Sequence, residues 1–218
     1  MTADLAQIAR AAGAVHLEIM GAFAPQPGDA APDGCKTIVL LGPAEPGFWA
    51  HVTAQPEFAD GTKDPLDRWS RRIVGDLAQS LTAAALFPFG GPPYQPFIRW
   101  ALASGRAWLS PVGLLVHERA GLMVSYRGAL AFDHEISVTP GGLNPCNSCA
   151  ARPCLSACPV GALSAAPFDA VACHDYLETV PGQDCLTGGC KVRRSCPAGQ
   201  TYSRLPAQSA YHMSYFHR

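Results

Sequence analysis

The sequence has few charged residues and lacks the common motifs of nucleotide-binding enzymes and serine hydrolases. Charged residues make up 15% of its 218 residues and the net charge is −1, whereas soluble domains usually carry roughly 25% charged residues. This balance leaves no broad basic surface, so we expect no nucleic-acid partner. No G-x-G-x-x-G follows a predicted strand, and neither G-x-x-x-x-G-K-[ST] nor G-x-S-x-G occurs,. The low charge instead indicates covered surface, from a buried cofactor, a protein partner or a homodimer interface.

Long apolar runs are missing as well. No stretch approaches the ~20 apolar residues of a membrane span, so we expect no membrane partner. Asp4, Arg10 and Glu18 interrupt the region in which a signal peptide would carry its apolar segment,. We therefore expect a cytoplasmic, reducing location, in which disulfides are rare and cysteines more often bind metals.

Cysteine is abundant and unevenly placed. Eight of the nine cysteines lie between residues 146 and 196. The first four have the spacing C-x2-C-x4-C-x3-C followed by proline, and the last of the other four is again followed by proline. Thiolates are the ligands of iron–sulfur clusters, and the bacterial run C-x2-C-x2-C-x3-C-P is the nearest pattern. The spacing therefore predicts iron–sulfur ligands in this region.

Zinc and disulfides are the alternatives for these cysteines. Zinc also takes four cysteines, often as two C-x2-C pairs, but only one such pair, Cys146 and Cys149, occurs here. Zinc explains neither the fourth cysteine with its proline nor the count of eight. A disulfide scaffold conflicts with the expected reducing location. Cys35 lies outside this region and is predicted to be a small buried or half-buried thiol.

Residues 146–163, CNSCAARPCLSACPVGAL, resemble the two-cluster ferredoxin fold. In ferredoxins each half supplies three ligands to its own cluster and a fourth to the other. The resemblance therefore implies two [4Fe–4S] clusters with four cysteines each. The first would be held by Cys146, Cys149, Cys154 and Cys196, and the second by Cys158, Cys173, Cys185 and Cys190.

Other segments are similar to cobalamin-dependent proteins. Residues 173–178, CHDYLE, resemble a segment of epoxyqueuosine reductases, and residues 100–129 resemble a stretch shared by these enzymes and reductive dehalogenases. Residues 64–67 resemble part of the CblC-type cobalamin-processing proteins. These resemblances imply an α+β protein. A nitroreductase-like α/β sandwich that binds cobalamin would span residues 1–140, followed by a two-cluster ferredoxin-like domain over residues 141–200 and a tail, 201–218, that packs on the body.

The sequence departs from those enzymes at one functional point. Their acidic proton donor would fall near Phe89-Gly90-Gly91, where no carboxylate or phenol stands, and no D-x-H-x-x-G motif occurs to bind cobalamin through a histidine. Three functions stay open. In the first, the chain is a redox protein that passes electrons from a donor or redox partner through two clusters to a cofactor or substrate. In the second it is a plain electron carrier, and in the third it is a corrinoid-binding protein with structural clusters.

Several elements and side chains are also predicted from local patterns. Asp64 and Pro65 start a helix that buries Leu66, Trp69, Ile73, Leu77 and Leu81, and residues 37–41 form a buried strand,. Residues 114–117, 122–125 and 129–132 are predicted strands of one small sheet. His117 and His134 are expected to be structural. We expect Lys191, Arg193 and Arg194 to tune the reduction potential of a cluster, to bind an acidic partner or to form a solvated loop.

Overall fold

The computed structural model describes residues 3–139 and 141–217 and contains two compact units. Met1–Arg106 and Ser125–Gly142 form the first unit, and Ala107–Val124 and Leu143–Arg218 form the second. The division differs from the predicted one near residue 140, because residues 107–124 group with the cysteine-rich part of the chain. Within the described ranges, no helix combines the length and the apolar character that crossing a bilayer requires.

Helices and strands both occur up to Phe132, helices and short turns follow, and all these elements lie within the described residues. The helices are α1 (Leu5–Gly13), α2 (Phe48–Thr53), α3 (Pro56–Ala59), α4 (Pro65–Leu81), α5 (Phe97–Ala103), α6 (Ala170–Leu177), α7 (Gln183–Gly188), α8 (Lys191–Arg194) and α9 (Pro206–Phe216). The strands are β1 (Leu17–Phe23), β2 (Thr37–Pro43), β3 (Ala84–Leu86), β4 (Ala107–Leu109), β5 (Leu115–His117) and β6 (Gly128–Phe132). Short 3-10 turns span Pro145–Asn147, Pro153–Leu155 and Pro197–Tyr202. The chain is thus a mixed α+β protein, as predicted.

The first unit is built on a four-stranded antiparallel sheet in the order β1-β2-β6-β3. Strands β2 and β6 are its two central strands, and every residue of both is buried. Such strands have near-continuous apolar sequences because both faces are covered. The prediction of a buried strand at residues 37–41 is therefore confirmed.

Helix α4 covers this sheet and contacts β3 and β6. It begins at Pro65, as predicted, with the Arg68 N–H donating to the Asp64 carbonyl oxygen at 3.0 Å. The predicted apolar face is buried throughout: Leu66, Trp69, Ile73, Leu77 and Leu81. Arg71, Arg72 and Asp76 are exposed on the opposite side, so the helical periodicity identified the correct face.

The predicted small sheet of residues 114–132 is wrong in its pairing. Strand β5 pairs with β4 in the second unit, whereas β6 lies in the sheet of the first. Residues 122–125 form a turn and an irregular connection. The reason is local: His117 and Gly121 exchange backbone hydrogen bonds of 3.0 and 2.9 Å, which turns the chain back before residue 122.

The second unit joins this hairpin to the cysteine-rich segment. Its core comprises Val112, Val116, Leu122, Cys154, Val192 and Cys196, all buried. Helix α9 packs against α7. The His217 ring also contacts the Glu178 carboxylate, with Nε2 and Oε1 2.7 Å apart. The C-terminal segment therefore packs on the second unit.

Candidate metal centres

All nine cysteines lie in the described part of the chain and are free thiols. The eight between residues 146 and 196 belong to the second unit, and they line two cavities, four to each. We refer to these as the first and the second cavity.

The first cavity has a volume of about 470 Å³. Its four cysteines are Cys146, Cys149, Cys154 and Cys196. Apolar side chains such as Val116 and Leu122 form another part of its wall, together with Ser110. Cys154 and Cys196 are buried, and Cys146 and Cys149 are half-buried.

The second cavity is much smaller, at about 30 Å³. Its four cysteines are Cys158, Cys173, Cys185 and Cys190. The rest of its wall is mostly apolar and includes Leu177, Val192 and Met213. Met213 lies on α9, so the C-terminal helix contributes directly to this wall.

The cysteines do not sort by their order in the sequence. Cys158 ends the first motif but lines the second cavity, and Cys196 ends the chain's cysteine series but lines the first. These quartets are the two sets named from the ferredoxin resemblance. The structure brings the eight thiols together in that arrangement, and their role as ligands stays a prediction.

Short turns position the cysteines of the first cavity. The Asn144 side chain accepts a hydrogen bond of 2.9 Å from the Cys146 N–H and so starts the 3-10 turn that holds Cys146. Cys154 lies in the next such turn, which follows Arg152 in the left-handed region (φ 40°). The Leu155 N–H donates to the Arg152 carbonyl oxygen at 3.0 Å.

Helices position three cysteines of the second cavity. Asp169 caps α6 by accepting a hydrogen bond of 2.9 Å from the Ala172 N–H, which fixes the first turn that carries Cys173,. Cys185 lies within α7, and Cys190 immediately precedes α8. The helices therefore present these thiols from fixed backbone positions.

The hairpin of residues 107–124 is the part of the site that sequence patterns missed. Gly121 (φ +53°) packs so tightly that a Cβ there would lie 2.9 Å from Cys196 Sγ and 2.8 Å from Gly199 Cα. A glycine is needed at this point to bring the hairpin against the turn after Cys196. The apolar side chains of the hairpin could be recognised in the sequence, but no local signal indicates that they face cysteines 24 or more residues away.

The basic residues between Cys190 and Cys196 are engaged within the second unit. Lys191 and Arg194 lie 3.3 and 2.6 Å from the Asp184 carboxylate. Arg193 Nη1 donates to the Leu122 carbonyl oxygen at 2.6 Å. Burial lowers the pKa of the Arg193 guanidinium, and nearby Cys190 opposes this shift. Of the interpretations left open, a plain solvated loop does not describe Arg193.

Three of the eight thiols, Cys146, Cys154 and Cys173, are held in surroundings that raise their pKa and disfavour the free thiolate. Burial raises the pKa of Cys146, and its neighbours Cys196, Cys154 and Cys149 raise it further. Burial and the three other cysteines of its cavity raise the pKa of Cys173 to about 11. Four thiolates around one cavity repel one another, and a cationic metal centre offsets this repulsion when it displaces the protons. The donor set thus fits a thiolate-bound metal centre.

A single metal ion and a four-iron cluster require different spacings of their four sulfurs. Among residues 3–139 and 141–217, no three His, Cys, Asp or Glu side chains are gathered as a single metal ion would require. Around one zinc ion the sulfurs would be only about 3.8 Å apart, given Zn–S bonds of about 2.3 Å. A four-iron cluster takes each cysteine on a different iron, so its four sulfurs surround a larger centre.

The remaining candidates have hydrogen-bond partners within the fold. His117 is buried, and its Nδ1 accepts hydrogen bonds of 3.2 Å from the N–H groups of Arg119 and Ala120. The His134 ring contacts the Asp133 carboxylate at 3.2 Å. Cys35 is half-buried, as predicted, and its thiol donates to the Thr37 carbonyl oxygen at 3.4 Å.

Comparison with protein-family models, curated proteins and solved structures found no match to this chain.

Proposed function

We propose that this chain is an iron–sulfur redox protein that holds one [4Fe–4S] cluster in each cavity. The observation that supports this best is the exchange of Cys158 and Cys196 between the two quartets. In two-cluster ferredoxins, each motif likewise gives its fourth cysteine to the other cluster. When bound, such clusters accept and donate single electrons.

The residues of the second unit would hold and insulate these centres. The cysteines supply four thiolates to each cavity, and mostly apolar walls restrict water around them. Cluster potentials depend on net charge, on hydrogen bonds to sulfur and on solvent exposure. The walls of the two cavities differ, with Ser110 and Ser148 in the first and Tyr176 and Lys191 in the second, so we expect their clusters to have different potentials.

The first unit would contain or position the electron acceptor. On the resemblance to epoxyqueuosine reductases and reductive dehalogenases, it is a nitroreductase-like domain with a corrinoid acceptor, followed by a ferredoxin-like domain. A second candidate is a plain electron carrier whose first unit binds a partner protein. The lack of an acidic side chain at residues 89–91 favours the carrier, because the related reductions need a proton donor there.

The experiment is anaerobic purification, or reconstitution with iron and sulfide, followed by metal analysis and spectroscopy. We expect about eight irons and eight sulfides per chain and a visible charge-transfer band that bleaches on reduction. Zinc in place of iron would contradict the proposal. Titration with hydroxocobalamin then separates the two candidates, because a spectral shift supports a corrinoid acceptor and no shift supports the carrier.

A further inference from the structure

The outer face of helix α6 is exposed and carries both apolar and acidic side chains. Val171, Asp175 and the C-cap residue Glu178 stand at positions i, i+4 and i+7, which share one face of a helix, and all three are exposed. The other side of the helix contributes Cys173 and Leu177 to the wall of the second cavity. One helix, about 10–12 Å across with its side chains, therefore lies between this outer face and the second cavity.

Two exposed phenylalanines extend the outer face of α6. Phe168 precedes α6 and Phe216 ends α9, and their ring centroids are 6.2 Å apart. Phe216 stacks on His174 with centroids 4.6 Å apart, and the His217 ring contacts the Glu178 carboxylate at 2.7 Å. These contacts hold the end of α9 against α6. We define the α6 patch as the exposed residues Phe168, Val171, Asp175, Glu178 and Phe216.

The charge around the α6 patch has one sign. Between residues 153 and 190 the sequence contains four carboxylates and neither lysine nor arginine. Asp184 pairs with Lys191 and Arg194, whereas among the residues that the structure describes no lysine or arginine pairs with Asp175 or Glu178. Helix α9 adds no Asp, Glu, Lys or Arg. The patch is therefore negative, which disfavours nucleic acid and anionic lipid as its partner.

We propose that the α6 patch is the docking surface for a redox partner protein whose own contact surface is basic, and that this partner exchanges electrons with the cluster of the second cavity. This inference rests on the proposed function. Clustered apolar side chains with a polar rim are typical of protein interfaces, and complementary charge speeds association. A patch of five side chains suits an electron-transfer encounter, which buries less than about 1,200 Å². One electron passes at each encounter, and no bond forms or breaks.

The test is the reduction of ferric cytochrome c, a basic haem protein, by the reconstituted full-length chain after reduction with dithionite and desalting. The patch variant is Asp175→Lys with Glu178→Lys. The matched control is Asp33→Lys with Glu135→Lys, because both are exposed carboxylates of the first unit and the net charge changes equally.

Stopped-flow absorbance at an ionic strength of about 0.1 M measures the second-order rate constant. It should fall about tenfold in the patch variant, because charge steering contributes roughly 10- to 1,000-fold to such rates, and stay within about twofold of the wild type in the control. At about 1 M salt, where the Debye length is about 3 Å, the patch variant and the wild type should react at similar rates.

Two cysteine variants identify the cluster that takes part. Cys146→Ala with Cys196→Ala keeps the second quartet complete, and this variant should still reduce cytochrome c. Cys173→Ala with Cys185→Ala disrupts the second quartet and should lose the reaction. Transfer that depends on the first quartet instead would overturn the proposal.

Iron analysis of each protein separates failure of this inference from failure of the proposed function. A wild-type chain without iron would overturn both. Full iron content with equal rates in the patch variant and the control would overturn the docking surface alone. If the patch variant loses iron, Asp175→Lys alone decides, because a wild-type rate in that protein would overturn the proposal and a slower rate would support it. A wild-type dimer in size-exclusion chromatography that dissociates in the patch variant would assign the patch to a second copy of the chain and overturn the proposal as well.

Discussion

Replacing Gly121 by alanine tests how closely the hairpin of residues 107–124 packs on the first cavity. At this position a Cβ would lie 2.9 Å from Cys196 Sγ and 2.8 Å from Gly199 Cα, closer than real Cβ atoms approach other groups. The backbone also has φ +53°, which alanine adopts only with strain,. Gly113 is a matched control, since it has φ +74° but a Cβ there would meet no other group within 4 Å.

The expected magnitudes follow from these two terms. The left-handed conformation costs about 1–2 kcal/mol for a residue with a Cβ, and this is the whole penalty at Gly113. Overpacking adds about 1–3 kcal/mol at Gly121. We therefore expect Gly121→Ala to lower the free energy of unfolding by about 2–5 kcal/mol and Gly113→Ala by about 1–2 kcal/mol.

Urea unfolding of both variants, followed by far-UV circular dichroism, measures this difference. After reconstitution, Gly121→Ala should also lose iron from the first cavity, because the methyl group displaces Cys196 or the turn that follows it. Gly113→Ala should bind as much iron as the wild type. Equal destabilisation of the two variants would refute the packing of the hairpin against Cys196.

Two further predictions concern the ion pair of Glu57 with Arg72 and the C-terminal helix. Glu57 is buried, and its carboxylate accepts hydrogen bonds of 2.6 and 3.0 Å from Arg72. The Arg72 guanidinium lowers the pKa of Glu57 below 4.5. The pair therefore stabilises the fold above about pH 4.5 and loses this effect as the pH falls through the lowered pKa. Since Arg72 is partly exposed, Glu57→Gln should lower the free energy of unfolding by about 1 kcal/mol at pH 7 and by less at pH 3. Urea midpoints of variant and wild type that differ equally at both pH values would contradict this. Removing residues 206–218 takes away α9 and, with it, Met213 from the wall of the second cavity. The melting temperature should fall, and the iron content after reconstitution should approach half the wild-type value. An unchanged melting temperature with full iron content would show that α9 does not support the second cavity.

Local patterns were sufficient for helix α4 and strand β2, and the ferredoxin resemblance was sufficient for the grouping of the cysteines. The α4 face follows from apolar residues at helical spacing, and β2 from an uninterrupted apolar run, because both signals lie within one element. The grouping of the cysteines follows from the resemblance to ferredoxins, in which each motif gives its fourth cysteine to the other cluster. These features depend little on the rest of the chain.

The parts that could not be predicted depend on packing between distant segments. The strand at residues 115–117 was identified, but its partner β4 and its place in the second unit are set by burial of Val116 against Cys154 and Cys196. A lone glycine carries no periodic signal, so the role of Gly121 becomes apparent only in the folded chain.

The most direct test of the account is the iron content of two double variants. Cys146→Ala with Cys196→Ala removes two thiols from the same cavity, although they lie far apart in sequence. Cys146→Ala with Cys158→Ala removes one thiol from each cavity, although both belong to the first motif. The account predicts about four irons per chain in the first variant and almost none in the second. The reverse result, with four irons kept only when Cys146 and Cys158 are replaced together, would contradict it.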